Sequence, residues 1–153
     1  MNNVQLTTAD AAHVELLLPL VREYHEFEHI SMSDAYRKKA LSPLLAEECT
    51  YGRVWIIEVN SVAVGYIALC FGYSIELCGR DAFIDEFFLK EEFRGQGIGS
   101  RVLELVKQHA RSFNIAALHL EVAKTNEKAK KLYTKSGFSP RDRYYIMSCS
   151  LST

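Results

Sequence analysis

The glycine-rich stretch at 94–100 (R-G-Q-G-I-G-S) is the part of the sequence best suited to bind a ligand. Its glycines occupy every second position, between an apolar run that ends at Leu89 and an amphipathic helix that begins near Ile98. Bare amides at a helix N-terminus, with the partial positive charge of the helix dipole, bind phosphate groups. Arg94 adds a fixed charge. The spacing predicts an anion site, and a flexible turn with a capped helix is the alternative.

Two common phosphate-binding motifs do not fit this stretch. A P-loop needs G-x-x-x-x-G-K-[ST], which the sequence lacks. A dinucleotide turn needs G-x-G-x-x-G directly after a strand; Gly95 and Gly97 fit, but Ser100 takes the third place and residues 90–94 intervene. Glu121 could imitate the ribose-binding acid of such a fold, yet no mononucleotide-binding repeat precedes it. Dinucleotide binding is therefore disfavoured.

Residues 94–99 have the pattern [QR]-x-x-G-x-[GA], and F-I-D-E-F-F-L at 83–89 precedes them as a strand. With these two segments the sequence resembles the GNAT family of N-acetyltransferases, whose signature and fourth strand they match. Residues 122–138 match V-x-x-x-N-x-x-A-x-x-x-Y-x-x-x-G-F, and the apolar strand at 62–71 also fits. Together these motifs cover about residues 54–140 in family order. The D-E-F-F strand and the R-G-x-G-I-G-S turn are most similar to the spermidine/spermine-type subgroup.

This resemblance implies transfer of an acetyl group from acetyl-CoA, as co-substrate, to an amine in a ternary complex. It implies an α/β fold with a mixed, splayed sheet around a central parallel β-α-β unit. The pantetheine arm would lie near Phe87 and Leu89, and Asn126 would contact the cofactor or cap its helix. Residues of the glycine turn would hold the CoA pyrophosphate: Arg94, Gly95, Gln96, Gly97, Ile98, Gly99 and Ser100.

Two proton transfers are needed for acetyl transfer to an amine, and the resemblance suggests a residue for each. Tyr133 matches the general acid of the family, although Leu132-Tyr133 also fits a buried helix face. Asp85 matches the base of the spermidine/spermine subgroup, and Glu86 is its neighbour. In a regular strand the two carboxylates would point to opposite faces, whereas a bulge would change which one faces the amine. We favour Asp85; a solvated or ion-paired pair is the alternative.

The N-terminal helices are expected to cover the acceptor. Tyr24, Glu28 and Tyr36, with Glu26 and Phe27, offer acidic and aromatic contacts that suit a small cationic amine such as a polyamine or a lysine-like amino acid. A protein amine is a second acceptor class, and a solvated helix face is the alternative for each residue. A non-catalytic acyl-CoA sensor would keep the glycine turn without needing Tyr133 or an acid on the fourth strand.

One motif points to a different class of protein. His25-Glu26-Phe27-Glu28-His29 matches H-E-x-x-H, in which two histidines one turn apart bind zinc. The helix is expected to end directly after His29, whereas a zinc peptidase needs this helix buried in a cleft. A zinc metallopeptidase is therefore kept only as a minor alternative, and no metal is expected.

The elements that position these residues follow from changes in hydrophobic periodicity. One domain over 1–153 is expected, with acceptor-side helices at 1–50, the core sheet and CoA turn at 53–123, and a C-terminal helix and strand at 124–153. The predicted helices cover 9–28, 33–46, a segment from Ile98 to Phe113, and 126–136. The predicted strands cover 53–59, 62–74, 82–89, 116–123 and 144–149, with turns at 60–61 and 79–81.

Composition limits the partners and the compartment. The chain of 153 residues has a formal net charge of −1, without the basic excess of a nucleic-acid-binding protein. The four cysteines show no C-x-x-C spacing, and no signal peptide or membrane span is visible, so a cytoplasmic protein is expected. A homodimer that uses an edge strand at 144–149 is a further hypothesis.

Overall fold

The computed structural model describes residues 2–152, which divide into two compact units with the boundary in the chain between Glu121 and Val122. No helix in this range is long and apolar enough to cross a membrane. The first unit contains β1 (Val4–Thr8), α1 (Val14–Phe27), α2 (Asp34–Leu41), β2 (Gly52–Val59), β3 (Val62–Ser74), β4 (Gly79–Leu89), α3 (Ile98–Ser112) and β5 (Ile115–His119), and the second contains α4 (Glu127–Lys135).

The sheet of the first unit has the order β1-β2-β3-β4-β5. The first three pairings are antiparallel and β4–β5 is parallel, which confirms the predicted mixed sheet with a β-α-β unit. The β2–β3 hairpin turns at Asn60 and Ser61, whose φ angles of 50° and 66° suit a tight hairpin turn. Strand β1 was not predicted. It pairs with β2 from Val4↔Val59 to Thr8↔Trp55, a contact between distant parts of the chain.

Strand β5 pairs with only the first part of β4. Their pairing runs from Arg80↔Ile115 to Phe83↔His119, where β5 ends, whereas β4 continues to Leu89. The second half of β4 therefore has no β5 neighbour. The predicted turn at 79–81 was wrong, because these residues already pair with the end of β3, and the chain turns at 75–78 instead. The predicted strand at 116–123 runs over 115–119.

Alternation along the strands gives the sheet two buried faces. Val54 and Ile56 of β2 belong to the apolar cluster that α1 covers with Leu17, Leu20 and Val21. On the other face, the Trp55 ring lies 5.3 Å from His109 of α3 and 6.4 Å from Phe113 just beyond it. Helix α1 therefore packs on the face that also carries Tyr66, Ala68 and Phe88.

The predicted N-terminal helices are shorter than expected. The 9–28 segment is a 3-10 turn at Ala11–His13, capped by Asp10, followed by α1. The 33–46 segment is α2 followed by a 3-10 turn at Ser42–Leu45, because Pro43 lacks the amide hydrogen needed to continue an α-helix.

In the second unit, α4 confirms the helix predicted at 126–136, and Gly137 follows it with a φ of 88°. The strand predicted at 144–149 was wrong. Residues 144–149 form no strand in the described chain, and the Tyr144 amide donates to the carbonyl of Arg141, as in a turn. Strand propensity alone does not form a strand without a hydrogen-bonded neighbour, so the edge-strand basis for a homodimer is lost.

Candidate functional site

The glycine turn has the backbone geometry of an anion site. Gly95 and Gly97 have φ angles of 71° and 79°, a left-handed conformation that strains other residues. A Cβ at either position would meet no atom within 4 Å, so the space beside the turn is open to a ligand. Gly97 caps α3 without a side chain, and the amides at 98–100 lack the partner one turn earlier that interior helix amides have. The turn therefore fits a phosphate group.

Arg94 connects this turn to two other elements. Its Nε donates to the carbonyl of Leu89 at 2.7 Å, at the end of β4. Its guanidinium lies 5.2 Å from the ring centre of Phe27 and 5.5 Å from that of Phe88. The Gln96 side chain is also fixed by the backbone just before the turn, because its Nε2 donates to the Glu92 carbonyl at 2.7 Å. The side chains of Arg94 and Gln96 thus shape the turn, leaving its amides as the anion-facing groups.

Asp85 and Glu86 lie at a bulge in β4. Ala68 of β3 pairs with Glu86 and the next residue, Leu69, pairs with Ile84, so Asp85 is the extra residue. At a bulge two consecutive residues oppose one residue of the neighbouring strand, instead of alternating between faces. Burial raises the pKa of both carboxyls, and hydrogen bonds from His25 and Tyr66 oppose the rise at Glu86. The bulge therefore brings both acids toward α1.

The two carboxylates have different surroundings. Glu86 is held at both oxygens, because Oε1 accepts from the Tyr66 hydroxyl at 2.9 Å and Oε2 lies 2.7 Å from His25 Nε2. Asp85 is exposed, and among the described residues its carboxylate accepts no hydrogen bond. Glu86 is thus fixed in place, whereas Asp85 is free to exchange a proton.

Behind Glu86 lies a network that the sequence analysis did not identify. Arg37 Nε donates to His25 Nδ1 at 3.2 Å, and Arg37 Nη1 donates to Asp34 at 2.8 Å. Arg22 also donates to Asp34 and lowers the pKa of that carboxyl. His25 and Arg37 are only 5% and 6% exposed. The available signal was His25 on the apolar face of α1, since a buried polar side chain needs a partner.

These contacts argue against the zinc hypothesis. Both ring nitrogens of His25 take part in hydrogen bonds within the protein, so neither is left for a metal. His29 lies beyond the end of α1 with a φ of 58°, off the helical spacing that the motif requires. Within residues 2–152, no group of three or more potential ligands could hold a metal ion.

Of the predicted acceptor residues, Tyr24 lies next to the two side chains that hydrogen-bond to Glu86. Its ring centre is 5.9 Å from that of His25, and 6.3 Å from those of Tyr66 and Phe88. Glu28 and Tyr36 are exposed, and in the described chain their side chains do not hydrogen-bond to Glu86 or its partners. The structure therefore places Tyr24 next to His25 and Tyr66, and it does not bring Glu28 or Tyr36 into the hydrogen-bond network of Glu86.

Asn126 and Tyr133 belong to the second unit. Asn126 Oδ1 accepts from the Ala129 amide at 3.1 Å, so this side chain caps α4, as the simpler interpretation of the motif predicted. The Tyr133 ring is half-buried, and its centre lies 5.8 Å from that of Phe138. These contacts account for the local structure around the motif at 122–138.

Comparison with known proteins gives the family. A sequence model described as the acetyltransferase (GNAT) family matches residues 16–138. The chain belongs to the GNAT acetyltransferase family. The enzyme is 30% identical over 129 residues to thialysine N-epsilon-acetyltransferase from Bos taurus, covering 79% of this chain and 75% of that one. This match confirms the resemblance that the glycine turn and the D-E-F-F strand suggested.

Solved structures agree with this assignment. The enzyme matches an integron cassette protein from the mobile metagenome of Cole Harbour Salt Marsh with a TM-score of 0.85 and 28% identity, over 97% of this chain and 91% of that one. It also matches a Clostridium acetobutylicum protein, described as a predicted acetyltransferase with acetyl-CoA, with a TM-score of 0.75 and 22% identity over 95% and 96% of the two chains. The enzyme is an acetyl-CoA-dependent acetyltransferase, with acetyl-CoA as its co-substrate.

Proposed function

We propose that the enzyme acetylates a primary amine of a small cationic molecule, with Asp85 as the general base. The observation that carries this proposal is the bulge in β4, which combines a fixed carboxylate at Glu86 with an unengaged one at Asp85. An ammonium group must lose a proton before it can attack a thioester. An exposed carboxylate with a raised pKa is suited to accept that proton.

Glu86 has a separate task in this proposal. Because both of its oxygens are engaged, it contributes a fixed negative charge that attracts a cationic amine. The Tyr24 ring, which lies next to His25 and Tyr66, offers a face for a cation–π contact. This environment favours a cation over a neutral amine. The name of the bovine relative adds support for a lysine-like amino acid alongside a polyamine.

The glycine turn would hold acetyl-CoA, which supplies the acetyl group when bound. The amides from Gly95 to Ser100 suit its pyrophosphate, because the two left-handed glycines leave the adjacent space open. The half of β4 that does not pair with β5, which includes Phe87 and Leu89, offers backbone groups along its free edge to the pantetheine arm. Tyr133 is proposed as the acid that protonates the departing sulfur, from its match to the family motif.

An amine panel with acetyl-CoA tests this proposal. We expect a diamine and thialysine to be acetylated faster than an uncharged amine, by direct attack in a ternary complex. Asp85→Asn should lower kcat by about 10²–10⁴-fold, as expected for a general base. Glu86→Gln should mainly raise KM for the amine. Turnover by Asp85→Asn at the wild-type rate would exclude Asp85 as the base, and light scattering in the same buffer would decide whether the enzyme is a homodimer.

A further inference from the structure

The contact between Arg37 and His25 determines the protonation form of the imidazole. An arginine side chain is always charged and has only donors, so Arg37 Nε must donate to His25 Nδ1 at 3.2 Å. Nδ1 then carries no proton. The other ring nitrogen must carry it, and Nε2 donates to Glu86 Oε2 at 2.7 Å. While this arrangement holds, His25 is a neutral Nε2–H donor.

From this geometry we infer that Arg37 is a positioning residue for acetyl transfer, acting through His25 on Glu86. The effect of Arg37 on amine binding rests on the proposed function, whereas its effect on the protonation of His25 does not. Arg37 prevents the imidazole from taking a second proton, so Glu86 accepts a hydrogen bond and keeps an unpaired negative charge. Without Arg37, a protonated His25 would form an ion pair with Glu86 and place a positive charge where the ammonium must bind.

The surrounding hydrogen bonds stabilise Arg37 in the position from which it donates to His25. Arg37 is buried, and Asp34 compensates its charge by accepting from Nη1 at 2.8 Å, while Arg22 donates to the same carboxylate. A buried arginine of this kind is costly unless its donors are satisfied. The charged or titratable groups that face His25 come from four elements: Tyr24 of α1, Arg37 and Asp34 of α2, Tyr66 of β3, and Asp85 and Glu86 of β4.

The first test needs no acceptor. Nitrogen-15 NMR of the wild-type enzyme at pH 7, with His25→Gln for assignment, should show His25 neutral with its proton on Nε2. A proton on Nδ1, or a doubly protonated ring, would overturn the inference. This measurement does not depend on whether any amine is acetylated. It therefore tests the protonation form of His25 even if the proposed function is wrong.

The second test uses the pH dependence of kcat/KM for the best amine. Arg37→Met keeps an apolar stem but removes the donor. An isolated imidazole changes from mostly charged at pH 6 to mostly neutral at pH 8, and an ion pair with Glu86 would favour the charged form further. The ratio of kcat/KM at pH 6 to that at pH 8 should therefore fall at least about fourfold below the wild-type ratio, with the loss in KM.

Two further variants separate positioning from structure. In His25→Gln/Arg37→Met the ring cannot titrate, so the ratio should return to the wild-type value. Lys39→Met removes a charge from an exposed position of the same helix and should leave the ratio unchanged. An Arg37→Met enzyme whose activity falls equally at both pH values, or whose ratio is not restored by His25→Gln, would show a merely structural arginine. If Arg37→Met does not fold, the NMR measurement alone decides.

Discussion

Replacing Tyr66 by Phe removes one hydrogen bond from Glu86 and little else. The Tyr66 side chain is 1% exposed, and its ring centre lies 6.3 Å from those of Tyr24 and Phe88. Phe keeps the ring and its packing, so no large cavity forms. The variant therefore isolates the 2.9 Å contact from the hydroxyl to Glu86 Oε1.

The size of the effect follows from the charge and exposure of the partner. A hydrogen bond to a charged group contributes about 1.5–3 kcal/mol. The Glu86 side chain is 20% exposed, so water can replace part of the lost contact and the lower end of that range applies. We expect Tyr66→Phe to lower the free energy of unfolding by about 1.5 kcal/mol, and Tm by about 3–6 °C, at pH 8.

The pH dependence of this loss tests its cause. The Tyr66 hydrogen bond lowers the pKa of Glu86 against the rise caused by burial. In Tyr66→Phe the folded carboxyl therefore binds a proton more readily than in the wild type. As pH falls through that raised pKa, the folded variant gains more from protonation, and the stability difference from the wild type should shrink.

Thermal and urea unfolding of both proteins from pH 5 to pH 8 measure this difference. Tyr73→Phe is the matched control, since Tyr73 lies on the same strand and is 69% exposed. It should change stability by less than about 0.5 kcal/mol at every pH. A Tyr66→Phe loss equal to that of the control, or one that does not vary with pH, would refute the assignment of this hydrogen bond to an ionised Glu86.

Three further predictions concern other parts of the chain. Gly97→Ala places a side chain on a residue with left-handed backbone, which costs about 1–2 kcal/mol. It should weaken acetyl-CoA binding, measured by calorimetry, about tenfold. Gly79→Ala, at the start of β4, is the control and should leave binding unchanged. Asn126→Ala removes the cap of α4 and should lower its stability by about 1 kcal/mol, seen as faster amide hydrogen exchange in that helix. Burial and two nearby carboxylates raise the pKa of Cys70 to about 11, so at pH 8 iodoacetamide should modify the exposed Cys78 well before Cys70, as read by mass spectrometry.

Local features of the site were predictable because their cause lies within a few residues. The glycine turn needs only the spacing of Gly95 and Gly97 and the helix that follows, and both glycines have the left-handed backbone that this spacing suggests. The Asn126 cap likewise depends on residues within one helical turn. The D-E-F-F strand identified both acids, although their shared direction depends on a register shift against Leu69.

Features that depend on distant partners were not predictable from sequence pattern. Strand β1 has only five residues and is defined by its pairing with β2, more than forty residues later. Arg37 lies on a short, mostly polar helix, and its burial follows from the position of His25 and Asp34. At residues 144–149 a strand was predicted and none forms. These residues have strand propensity but no pairing strand in the described chain.

The bulge in β4 explains how adjacent acids can have different tasks. A regular strand would place one of them toward α1 and the other away, whereas the extra residue lets Glu86 anchor the sheet to His25 and leaves Asp85 beside it without a hydrogen bond. Ionising these two neighbouring carboxyls opposes folding, since partial loss of surrounding water raises the pKa of each. The hydrogen bonds from His25 and Tyr66 offset part of that cost at Glu86. Asp85 accepts no such hydrogen bond from the described residues, so its exposed carboxylate stays accessible to a proton from the amine.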